Sequence, residues 1–167
     1  MNVNIARLLA LAAASLLASC AGSTPDAKFS QPLSVQIARE DRIDTLVTSS
    51  DTAMIDSAQQ RLGSKITSQV RALASARGGA SHGYQLAVHI SRYDKGNAFA
   101  RSMLAGLGQM HLDGTIAVYQ MPLRTKVGEF TMNKTFAWGG VYGMTMTMEA
   151  IEDTYAKAVA EAIHQRK

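Results

Sequence analysis

The strongest constraint on this chain is a change of hydrophobic period. Met54, Ala58, Leu62, Ile66, Val70 and Leu73 recur at steps of three and four, which lays one apolar stripe along a helix. Ser50 or Asp51 is placed to cap its start and Gly78-Gly79 to end it. Gly63 weakens the middle by about 1 kcal/mol relative to alanine, yet the stripe continues through it. The step then becomes two. Tyr84, Leu86, Val88 and Ile90 alternate with other residues, as do Met110, Leu112, Ile116 and Val118, and then Phe130, Met132 and Phe136. Alternation of this kind is the mark of strands with one buried face. The short connection around Pro122 predicts a hairpin between the last two.

The period lengthens again near the end. Met148, Ile151, Tyr155, Val159 and Ile163 predict a helix over about 147–164, with Glu149, Glu152 and Asp153 near its start and His164 near its end, as the helix dipole favours. Upstream, LSVQI at Leu33–Ile37 alternates as a strand, and a shorter strand is expected near Ile43 to Val47. The expected order is β-α-β-β-β-α. Two helical stripes and one apolar sheet face predict an α/β (α+β) two-layer sandwich, with a mainly antiparallel sheet.

The first twenty residues follow a different logic. A short head with one charge, Arg7, leads into an apolar run from Leu8 to Leu17, broken only by Ser15. Ten residues span about 15 Å as a helix, roughly half of a bilayer core. That is short for a membrane span and suits the apolar region of an export signal. The run ends Leu17-Ala18-Ser19-Cys20, and Cys20 is the one cysteine of the chain, so no internal disulfide forms.

This ending resembles the bacterial lipobox. The resemblance implies a diacylglyceryl group on the Cys20 sulfur, cleavage before that residue and an N-acyl lipid on the new terminus. A thiolate is the nucleophile that such thioether formation requires. One acyl chain holds a protein only marginally, whereas two or three hold it firmly. By similarity to enterobacterial sorting rules, Ala21 after the cysteine favours the outer membrane. The expected organisation is a signal peptide over 1–19, a lipidated tether over 20–32, punctuated by Pro25 and Pro32, and one domain over 33–167. The expected partners are the membrane, through the anchor, and other envelope proteins.

A second resemblance lies in YDKGNAFARSMLAGLGQMHLDGTIAVYQ. Gly96-Asn97, Arg101, Gly106 and Gly108 resemble the G-[NS]-x3-R-x4-G-x-G core of a domain-of-unknown-function family of bacterial envelope lipoproteins. The likeness extends over about residues 33–165 and includes Gly139-Gly140. It departs at Gln109 and Met110, where a small residue often stands. The resemblance implies location and fold and brings no activity with it. Read physically, Gly106 and Gly108 permit positive φ or close backbone approach where a loop enters a strand. Arg101 offers a charge for an acidic group or a phosphate, so Arg101, Gly106 and Gly108 form a candidate ligand loop.

Other chemistry is sparsely supported. His111 and Asp113 share a strand face and His89 lies on a neighbouring strand, but H-x-D is a weak metal signature; no metal, cofactor or catalytic residue is expected. No G-x-S-x-G elbow places a serine nucleophile, and no Walker or dinucleotide loop is present. The net charge of +4 is dispersed, unlike the clustered basic face of a nucleic-acid binder. Trp138, Tyr142, Met144 and Met146 offer an adaptable apolar surface for a protein partner. The reading is a non-enzymatic binding or assembly module. The alternatives are a small-ligand carrier or enzyme with a pocket near Arg101 and Gly106 to Gly108, and a self-associating subunit.

Overall fold

The structure is a computed structural model that describes residues 27–103, 108–136 and 145–165, and only the backbone of residues 101–103. The elements run β1 (Ala27–Gln31), β2 (Arg42–Ser49), α1 (Asp56–Leu73), β3 (Gly83–Asp94), α2 (Ala98–Met103), β4 (Met110–Met121), β5 (Thr125–Phe136) and α3 (Met148–His164). The strands form one sheet in the order β1-β5-β4-β3-β2. All neighbours are antiparallel except β2 and β3. Parallel neighbours need a crossover, and α1 supplies it.

The expected α+β sandwich is what forms. The inward residues of β3, β4 and β5 are the alternating sets seen in the sequence, all buried. Helices α1 and α3 cover that face, with Leu62, Ile66, Val70, Ile151, Tyr155 and Val159 fully enclosed. They run in the same direction: Arg61 meets Glu152, and nine residues further along α1 the Val70 carbonyl accepts from His164 Nε2 at 2.9 Å. The opposite sheet face carries no helix among the described residues. Its rows are hydroxylic and small, such as Thr48–His89–Thr115–Thr131 and Leu46–Ala87–Ala117.

Besides the short helix α2, which the two-helix reading did not contain, three details differ from the sequence reading. Residues 27–31, read as part of a tether, form β1 on the outer edge of β5, because Phe29 packs on the core with its ring 5.0 Å from that of Phe130. Leu33–Ile37 is not a strand. Pro32 has no N–H to continue the ladder, and the segment folds inward so that Leu33 lies on Gly128 while Ile37 is buried. Finally, α1 begins at Asp56 after Ile55, which makes no side-chain cap. Asp51 is occupied elsewhere, accepting from the amides of Ala53 and Tyr93. The helix also ends at Leu73, ahead of Gly78 and Gly79, whose φ values of 73° and 103° serve the following loop.

Candidate functional site

The loop read as a candidate ligand site is built around its glycines. At the end of β3, Asp94 Oδ1 accepts from the Gly96 amide at 2.8 Å, and Arg92 donates to Asp94 Oδ2 at 3.0 Å. The Gly96 amide and Arg92 together hold the Asp94 carboxyl below the usual carboxylate range. Asn97 Oδ1 then accepts from the Ala100 amide and starts α2. Gly96 and Gly108 both have positive φ, 60° and 63°. A Cβ on Gly96 would strike the carbonyls of Gly108 and Gln109, and one on Gly108 would strike the carbonyl of Asn97. The two glycines therefore close the neck of the 95–109 loop, backbone against backbone. Arg101 lies in α2, its side chain outside the described residues, and Gly106 also lies outside them.

Of the interaction surface read from sequence, Trp138, Tyr142 and Met144 lie outside the described residues, and so does Cys20. Met146 is partly buried against the core at the approach to α3.

The histidines do not converge. His89 stands opposite Thr115 and His111 opposite Asp94, so four residues of β4, about 13 Å, separate them. His89 Nδ1 lies 3.1 Å from Thr48 Oγ1, and His111 Nδ1 lies 3.1 Å from Thr135 Oγ1. Among the described residues, no three His, Cys, Asp or Glu side chains approach closely enough to hold a metal ion.

The most concentrated electrostatics lie between the helices. The Glu152 side chain is fully enclosed, yet Arg61 Nε and Nη2 reach its two oxygens at 2.7 and 2.8 Å. Tyr93 Oη donates to Glu152 Oε1 at 2.8 Å, and Lys65 Nζ lies 3.5 Å from Oε2. Burial and the neighbouring carboxylate raise the Tyr93 pKa, while the hydrogen bond to Glu152 raises that of Arg61. A carboxylate so fully engaged binds α3 to α1 and β3 and has no open side for a substrate. Sequence reasoning placed Glu152 at a helix start for its dipole. The overlooked signal was its position beside Ile151 and Tyr155, on the apolar stripe.

Two surface features remain. A cleft of about 300 Å³ lies between the end of α3 and the segment after β1, lined by Phe29, Leu33, Val35, Ile163 and His164. At the end of the sheet, the β4–β5 turn carries Leu123, 88% exposed, beside Met121, 40% exposed.

The family profile described as a domain of unknown function (DUF4410) matches residues 40–140, from the turn before β2 past the end of β5. The chain belongs to this family. No curated protein matches the chain in sequence. Among solved structures, this family member is similar to the PelC dodecamer of Paraburkholderia phytofirmans, at 15% identity and a TM-score of 0.57, covering 84% of this chain and 99% of that one. A single-site variant of the same dodecamer gives 11% identity, a TM-score of 0.58 and the same coverage. At such identities the likeness is one of fold.

Proposed function

We propose that the protein is a lipid-anchored component of the bacterial envelope, held by acyl chains on Cys20 at the periplasmic side of the outer membrane. Its domain acts without catalysis, as a subunit that assembles in several copies. One observation carries the assembly reading: the fold it shares with PelC, a dodecamer, extends over nearly the whole of the PelC chain. Anchoring is a second, independent element, and it rests on the leader and Cys20.

The test is native mass spectrometry on the full chain, extracted from membranes in mild detergent. The reading expects a mass that is a multiple of the protomer and a lipid adduct on the N-terminal cysteine, absent in Cys20→Ser. A protomer mass at every concentration overturns assembly. An unmodified Cys20 in the wild type overturns anchoring.

A further inference from the structure

The β4–β5 turn leaves exposed the apolar side chains that a folding chain ordinarily hides. Met121 stands in one row with Gly83 and Arg42 at the end of the sheet, and Leu123 projects beyond it. Arg124, at φ 54°, folds its guanidinium to 5.2 Å from the centre of the Tyr119 ring. Lys126 sits opposite Tyr119 and pairs with Glu129 at 3.0 Å. Arg42 and Arg124 make no ion pair among the described residues, and Asp44 is the acidic neighbour, sharing a shallow depression with Arg42 and Met121. One end of the sheet thus presents two apolar side chains, a tyrosine lying under the Arg124 guanidinium, and Arg42.

We infer that this hairpin tip is a contact site for an anionic phospholipid surface. Two side chains are far too little for a stable protein interface, which takes about 800 Å² from each partner. They suit shallow insertion among headgroups, where tyrosine is at home and arginine meets phosphate. The reach agrees. Ala27 pairs with Met132, and β5 runs from there back to Thr125 over about 24 Å. The seven-residue step from Ala27 to Cys20 spans a similar distance when extended, about 24 Å. Because Ala27 lies toward the far end of β5, an anchored chain lays this end of the sheet on the leaflet that holds its lipid only with its tether fully extended and doubled back along β1. The inference rests on the anchored reading and adds an orientation to it.

The test places an environment-sensitive dye at Thr125→Cys, beside an intact tip, or at Thr52→Cys, at the opposite end of the sheet. The native cysteine, Cys20, is blocked by lipid in the anchored form. The full chain is reconstituted into vesicles of phosphatidylglycerol and phosphatidylethanolamine containing spin-labelled lipid. The expected result is strong quenching at 125 and little at 52, diminished by Leu123→Ser. Neutralising either arginine, as Arg42→Gln or Arg124→Gln, is expected to lower the docked-to-undocked ratio about fivefold. If the protein floats with the vesicles but position 125 is quenched no more than position 52, the tip contact is overturned. Quenching that is unchanged in phosphatidylcholine vesicles overturns the anionic part. A protein that does not float at all overturns the anchor, and this inference with it.

Discussion

Arg61 and Glu152 form a two-point ion pair at 2.7 and 2.8 Å between α1 and α3, with the carboxylate wholly buried and the guanidinium about one-third exposed. The asymmetry decides which partner matters more. Without Glu152, Arg61 turns its head to water. Without Arg61, Glu152 stays enclosed with only Tyr93 and a more distant Lys65.

Arg61→Met is therefore expected to destabilise the fold by about 3 kcal/mol, and Glu152→Leu by clearly less. The double variant is expected to recover part of the loss, because apolar residues replace the buried pair but leave the Tyr93 hydroxyl without its acceptor. Urea unfolding of the four proteins checks this. A double variant as unstable as Arg61→Met would contradict it.

Tyr155 poses the opposite problem. Its hydroxyl is buried without a hydrogen-bond partner among the described residues, and burial, with Asp113 nearby, raises its pKa. It lies against Gly114, where an added Cβ would stand 2.9 Å from the hydroxyl and 2.8 Å from the His89 carbonyl. Tyr155→Phe removes an unpaired polar group, so thermal melting is expected to show unchanged or higher stability. Gly114→Ala overpacks the same point and is expected to lose about 1–3 kcal/mol.

These two sites show where sequence reading succeeds and where it stops. Apolar period is a local property, so the inward sets of β3, β4, β5 and α3 were legible from spacing alone. Edge strand β1 was not. AKFSQ carries one large apolar residue between two prolines, and only its partner β5, about a hundred residues away, makes it a strand. Glu152 was hidden for a similar reason, since a carboxylate on an apolar stripe becomes intelligible only once Arg61 is brought opposite it. Gly96 and Gly108 were legible as special backbone positions, but that they oppose each other depends on how the loop closes.

Acid sensitivity is expected to centre on Asp41. Burial alone would push its carboxyl up. The amides of Ala38 and His82, with Arg77, outweigh that and hold it below the ordinary aspartate value of 3.8. A lowered folded-state value stabilises the fold above the unfolded value, and that contribution is lost as pH falls through the folded one. Stability of the wild type is thus expected to decline below about pH 4. Asp41→Asn should be less stable near neutrality and decline less steeply over the same range. Parallel pH profiles for the two proteins would exclude Asp41 as the source.

Gly108→Ala is the sharpest test of the loop neck. Position 108 is at φ 63°, where a non-glycine residue costs about 1–3 kcal/mol. The new methyl also points at the Asn97 carbonyl and the Ala100 side chain, and the first of these is backbone. A flexible side chain could move aside, but the carbonyl cannot shift without moving Asn97, whose side chain starts α2. Gly79→Ala is the control: it has positive φ too, at 103°, yet open space around it. If conformation alone matters, Gly79→Ala costs at least as much as Gly108→Ala, because φ 103° lies outside the left-handed basin that 63° occupies. The neck geometry expects Gly108→Ala to cost more and to raise amide exchange in α2 and the start of β4, whereas Gly79→Ala leaves both unchanged. Equal exchange in the two variants would mean that the neck does not hold the loop.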